Sequence, residues 1–126
     1  MPKQEQRDIE LERNWFRLLN HIEKRIGKKP EDLHGVLFLI GVQELGQARK
    51  HFTKEEKQDL MHIAICRLLS SSGYYELEGL DQDGWPHWKL VSNPPNFDLL
   101  EQEKVLKMHA IDYFEEEFDI NIKIPQ

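Results

Sequence analysis

Cysteine occurs once, at Cys66, so the chain can form neither an internal disulfide nor a cysteine-rich zinc site, and a reducing compartment is the expected setting. No stretch reaches the ~18 consecutive apolar residues of a transmembrane helix, which disfavours a membrane protein. The segment Met1 to Asn14 is crowded with charge and has no signal-peptide core, so the expected location is the cytoplasm. Repeats and low-complexity tracts are also missing. The 126 residues, 39% hydrophobic and 32% charged, suit one compact soluble domain over 1–126.

Basic residues are scarce in the second half. Residues 1–60 carry 12 Lys and Arg against 11 Asp and Glu, whereas 61–126 carry 5 against 12. Neutralising phosphate needs clustered cations, so wrapping on nucleic acid or on an anionic membrane is disfavoured. The basic exceptions are local: Lys24, Arg25, Lys28 and Lys29 at the end of the first helical pattern, and Arg49, Lys50 and Lys54 in a later loop. Cations at a helix carboxyl end complement its dipole.

Leu11, Trp15, Leu18, Leu19, Ile22 and Ile26 recur at three- and four-residue spacing and predict a first helix from about Gln6 to Ile26, ended by Gly27. Ile9 and Phe16 fall off this stripe and are expected to cover a loop or form a contact patch. Pro30, Glu31 and Asp32 are read as the start of a second helix. Its run Val36 to Val42 is apolar all round and predicts the most buried helix, stopped by Gly46. Thr53 with Glu56 reads as a capping box opening a third helix to about Ser70.

Tyr74 to Leu80 and Trp85 to Val91 flank Asp81-Gln82-Asp83-Gly84 and predict a β-hairpin. Tyr75, Leu77, Trp88 and Leu90 alternate with charged residues, so one face is apolar. By the same alternation Trp88 is predicted buried and Trp85 partly exposed. Asp98 to about Phe118 reads as a fourth helix, and the period-two tail 119–125 suggests a third short strand. The fold class is therefore α+β, mainly α: a four-helix core with a β-hairpin after helix 3.

Three constellations invite a chemical reading. Asp59, His62 and Cys66 fall within about 60° on the wheel of helix 3, where a Cys-His pair could supply an activated thiolate or two metal ligands. No glycine-rich nucleophile loop precedes Cys66, and a small buried cysteine beside a boundary histidine is the simpler account. Glu31-x-x-His34 and Asp59-x-x-His62 have the spacing of di-metal carboxylate bundles, although capping explains them more simply. Glu44, on the arc of Leu33, Leu37 and Ile40, and Glu103, on the arc of Leu99, Leu106, Ala110 and Phe114, are read as inward carboxylates that need partners. Lys57 or the Arg49-Lys50 loop is the expected partner of Glu44, and Lys107 that of Glu103.

The densest recognition chemistry is in the hairpin. Tyr74, Tyr75, Trp85, Pro86, His87 and Trp88 place six rings within fifteen residues, beside Glu76, Glu78, Asp81 and Asp83. Aromatic side chains with a few charges are characteristic of protein-binding surfaces.

Element order over residues 30–91, with the segment Leu68-Leu69-Ser70-Ser71-Ser72-Gly73-Tyr74-Tyr75-Glu76-Leu77, resembles winged-helix domains, and the resemblance implies a DNA-associated protein. This chain departs from that pattern: helix 3 opens with Lys54-Glu55-Glu56-Lys57-Gln58-Asp59 and the hairpin is acidic, which argues against DNA reading even in that shape. Through Gly41-Val42-Gln43-Glu44-Leu45-Gly46 and Asp83-Gly84-Trp85-Pro86-His87-Trp88 the chain also resembles an uncharacterised family of small bacterial proteins, which implies no activity.

The expectation is a non-catalytic protein-interaction or accessory domain that binds through Tyr74, Trp85, His87 and Trp88, with Glu44 as a further candidate. Its partner is a protein or peptide, with a second copy of the chain as an alternative, and no cofactor or metal is expected. The rivals are a small enzyme or metal-binding helical protein using His62, Cys66, Glu44 and Glu103, and a winged-helix-like nucleic-acid-associated protein.

Overall fold

A computed structural model describes residues 3–49 and 51–123. The elements are α1 (Lys3–Ile26), α2 (Leu33–Leu45), α3 (Lys54–Ser70), β1 (Tyr75–Leu80), β2 (Pro86–Leu90) and α4 (Leu99–Phe118), a mainly α arrangement with a two-stranded antiparallel hairpin after α3. Backbone contacts group them into two compact units, Met1–Glu31 with Phe97–Gln126, and Asp32–Asn96. No helix among the described residues is long and apolar enough to cross a membrane.

In the first unit α1 and α4 pack together. Leu11, Trp15, Leu18 and Ile22 are the buried positions of the α1 stripe, and Ala110, Ile111, Tyr113 and Phe114 those of α4. Salt bridges link the two helices, Asp8 to Lys104 at 3.0 Å and Glu12 to Lys107 at 3.1 Å, and the Lys107 ammonium lies 5.3 Å from the Trp15 ring centroid. Ile9 and Phe16 are exposed, and the loop after α1 brings Lys29 Nζ to 4.8 Å from the Phe16 ring centroid. This is a cation–π contact at the surface.

The tail does not form the expected strand over residues 119–123, while Ile124 and Pro125 lie outside the described residues. Glu115 competes for its backbone. One carboxylate oxygen accepts the N–H groups of Ile122 (2.9 Å) and Lys123 (3.0 Å), Lys123 Nζ reaches Asp112 at 2.7 Å, and Ile122 is buried. Amides taken by a carboxylate are lost to a strand ladder.

In the second unit Asp32 is the N-cap of α2, accepting the Gly35 N–H at 3.1 Å. The helix therefore starts later than Pro30 and Glu31 suggest, because the Asp32 carboxylate satisfies a first-turn donor from an extended backbone. Gly46 ends α2 in the left-handed conformation, and Thr53 and Glu56 make both bonds of the capping box. From Gly35 to Val42 no residue is exposed. Gly41 explains how α2 packs so deeply: a Cβ there would stand 2.2 Å from the Leu60 carbonyl oxygen, so the missing side chain lets α2 rest on the α3 backbone. Leu45, Leu60 and Ile63 form the buried cluster at this crossing, with Phe38, Val42, Phe52 and Trp85 packed against it.

In the hairpin, Tyr75 pairs with Leu90 and Leu77 with Trp88, as alternation requires. A bulge between Leu77 and Gly79 then shifts register, so that Gly79 faces His87 and Leu80 faces Pro86. Gly79 has φ 143, where a side chain is strained. The extra residue carries Leu80 onto the face of Leu77, Pro86 and Trp88. That face rests on α3 and is only half covered: Leu77, Leu80 and Leu90 remain 49%, 66% and 47% exposed. Trp88 is accordingly half-buried, as is Trp85, so the expected burial of Trp88 is not reached. One helix cannot cover the apolar face of two strands.

Candidate functional site

An open cleft of about 460 Å³ lies between α3 and the hairpin. Helix α3 contributes Glu56, Asp59, His62 and Ile63, and the hairpin contributes Asp81, Asp83, Trp85, Pro86, His87 and Trp88. Residues 56, 59, 62 and 63 line one side because three- and four-residue steps return to the same helix face.

Asp81 organises the hairpin end. Its Oδ1 accepts the N–H groups of Asp83 (2.9 Å) and Trp85 (3.0 Å), and its Oδ2 lies 2.9 Å from His87 Nε2. The His87 bond, followed by the Trp85 amide, holds the Asp81 carboxyl below the usual carboxylate range. Gln47 ties the loop after α2 to this turn by donating to the Asp83 carbonyl at 2.7 Å. On the α3 side Glu56 is bound by Arg49 through both oxygens, at 2.9 and 3.0 Å. Arg49 and then the Thr53 amide draw its carboxyl below the ordinary value.

The remaining two carboxylates differ. Asp59 and Asp83 are exposed, and neither side chain forms an ion pair among the described residues. No Lys or Arg lines the cleft. Trp85 lies against the α2–α3 cluster and so gives its wall a rigid footing. The Trp88 Nε1 is buried with no acceptor among the described residues, a donor whose desolvation costs on the order of 1–3 kcal/mol.

The structure thus brings Trp85, His87 and Trp88 of the sequence candidates into one site. Tyr74 is not among the cleft residues; its backbone joins the end of α3 to the hairpin, donating to Leu69 O at 3.2 Å and accepting from Val91 at 3.0 Å. Glu44 also lies off the cleft. Its partner is Arg67 at 3.3 Å rather than Lys57 or Arg49, and Lys50 lies outside the described residues. Leu60, Ile63 and Arg67 share one face of α3, so the surface on which α2 packs carries an arginine at its far end.

Glu103 is exposed, contrary to its expected inward placement, because α4 buries little before Ala110, and Lys107 stands 3.8 Å from it. Cys66 is fully buried with its sulfur 3.5 Å from His62 Nε2, and burial pushes the thiol up to about 11. A nucleophilic cysteine needs the opposite shift. Tyr75, beside it, is also raised, by burial and then by the Cys66 charge. Among the described residues no group of three or more His, Cys, Asp and Glu could hold a metal ion.

Sequence reading missed the role of Glu56 and Asp59 as the second wall of the cleft, and Gln47 as the tie beneath it. Their only local signal was the helical spacing 56, 59, 62, which does not say what faces it. Comparison of the chain with protein-family models, with curated proteins and with solved structures finds no match in any of the three, so the reading of this site rests on its own residues.

Proposed function

We propose that the chain is a cytoplasmic interaction or accessory domain that binds a segment of a partner protein in the cleft between α3 and the hairpin. The observation that carries this is the composition of the cleft: Trp85 and Trp88, with Pro86 beside them, form a wall of rigid rings that Asp81 and Gln47 hold in place. Rigid aromatic surface offers contact area at low entropic cost. The half-covered apolar face with Leu77, Leu80 and Leu90 extends the sticky area of the same hairpin.

Selection of a random displayed peptide library on the full chain tests the proposal, with the enriched peptides mapped by amide chemical-shift changes. The expected result is perturbation confined to residues 56–63 and 81–88, with at least tenfold weaker binding by a Trp88→Ala protein of unchanged circular dichroism. Perturbations mapping to α1 or α4, or an absence of enriched peptides, refute it.

A further inference from the structure

We infer that the segment bound in this cleft is cationic, presenting an arginine or lysine side chain between the tryptophan wall and the carboxylates of Asp59 and Asp83; the inference rests on the interaction reading above. Charge balance within the cleft supplies the argument. Four acidic residues line it, and the structure engages two of them: Glu56 pairs with Arg49 at 2.9 Å, and Asp81 accepts two backbone N–H groups and lies 2.9 Å from His87 Nε2. Asp59, on α3, and Asp83, at the hairpin turn, are left without a counter-charge among the described residues, one on each side of the opening.

An anionic or purely apolar occupant would have to desolvate these two carboxylates with nothing to pair them. A guanidinium or ammonium group pairs them instead, and the negative faces of Trp85 and Trp88 add attraction of the cation–π kind. Arginine suits the site better, because its planar fork can bond a carboxylate while its face lies on an indole. The cleft is open to solvent rather than enclosed, so an extended chain can enter it.

The test uses three end-blocked pentapeptides, Gly-Arg-Gly-Arg-Gly and its versions with Gln or Glu for Arg, titrated into the full chain in a Trp15→Phe background so that only Trp85 and Trp88 fluoresce. The arginine peptide is expected to give a saturable change that weakens with salt, with the Gln and Glu peptides at least tenfold weaker. An Asp59→Asn/Asp83→Asn protein of unchanged melting behaviour is expected to lose at least tenfold in affinity. Equal binding of the Gln or Glu peptide, or unaltered binding by the double variant, overturns the inference. So does concentration-dependent self-association of the chain that the double variant abolishes, since the occupant is then a second copy. Library peptides that depend on Trp88 but lack Arg and Lys overturn the cationic assignment alone, whereas a library without any Trp88-dependent peptide overturns the interaction reading with it.

Discussion

Replacing Gly41 by alanine tests the packing on which the cleft rests. In an ordinary helix interior the change stabilises by about 1 kcal/mol, since alanine is the better helix former. Here the new Cβ would stand 2.2 Å from the Leu60 carbonyl oxygen and 2.6 Å from its carbon, both backbone atoms that no rotamer change can move. A carbon–oxygen contact settles at about 3.3–3.6 Å, so the helices must part by roughly 1 Å. A gap of that size forfeits a quarter to a half of the local dispersion energy. Leu45, Leu60 and Ile63 meet at this crossing; with each worth about 2 kcal/mol when buried, their combined loss is about 1.5–3 kcal/mol. Less the propensity gain, Gly41→Ala is expected to cost about 0.5–2 kcal/mol. Urea melts followed by Trp85 and Trp88 fluorescence in a Trp15→Phe background measure it. A Gly41→Ala protein as stable as its parent, or more so, would refute the close-approach argument.

The buried thiol of Cys66 is expected to react slowly with a soluble disulfide reagent at neutral pH, with a labelling midpoint near its raised value of about 11; a midpoint at or below 9.0, the ordinary thiol value, would contradict its burial. Because the folded value lies above the unfolded one, this group's contribution to stability is full below pH 9.0 and is lost as pH rises towards about 11, a loss that Cys66→Ala should remove from the pH–stability profile. The Glu44–Arg67 bridge, with side chains about a quarter exposed, at 20% and 26%, is expected to show a coupling of about 0.5–1 kcal/mol in a Glu44→Gln/Arg67→Met double-mutant cycle. Additivity in that cycle, together with coupling of Glu44 to Lys57 or Arg49, would show that the partner is misassigned.

What the sequence by itself determined was local. Thr53 with Glu56, Asp98 and Gly46 marked helix ends because a cap is a contact between residues three or four apart. Tyr75, Leu77, Trp88 and Leu90 showed the hairpin face because strand alternation has period two. Of the candidate site, the aromatic wall was legible for the same reason: Trp85, Pro86, His87 and Trp88 are consecutive. The tertiary structure alone decided what stands opposite that wall, because Asp59 and His62 reach Asp81 and Asp83 only through the packing of the hairpin on α3. It also decided that Glu44 meets Arg67, that Gly79 takes a bulge which moves Leu80 to the other face, and that Glu115 captures the tail amides. Each depends on how two elements distant in the chain approach one another, and that approach is set by side-chain shape at the contact, as at Gly41 against Leu60, rather than by hydrophobic periodicity.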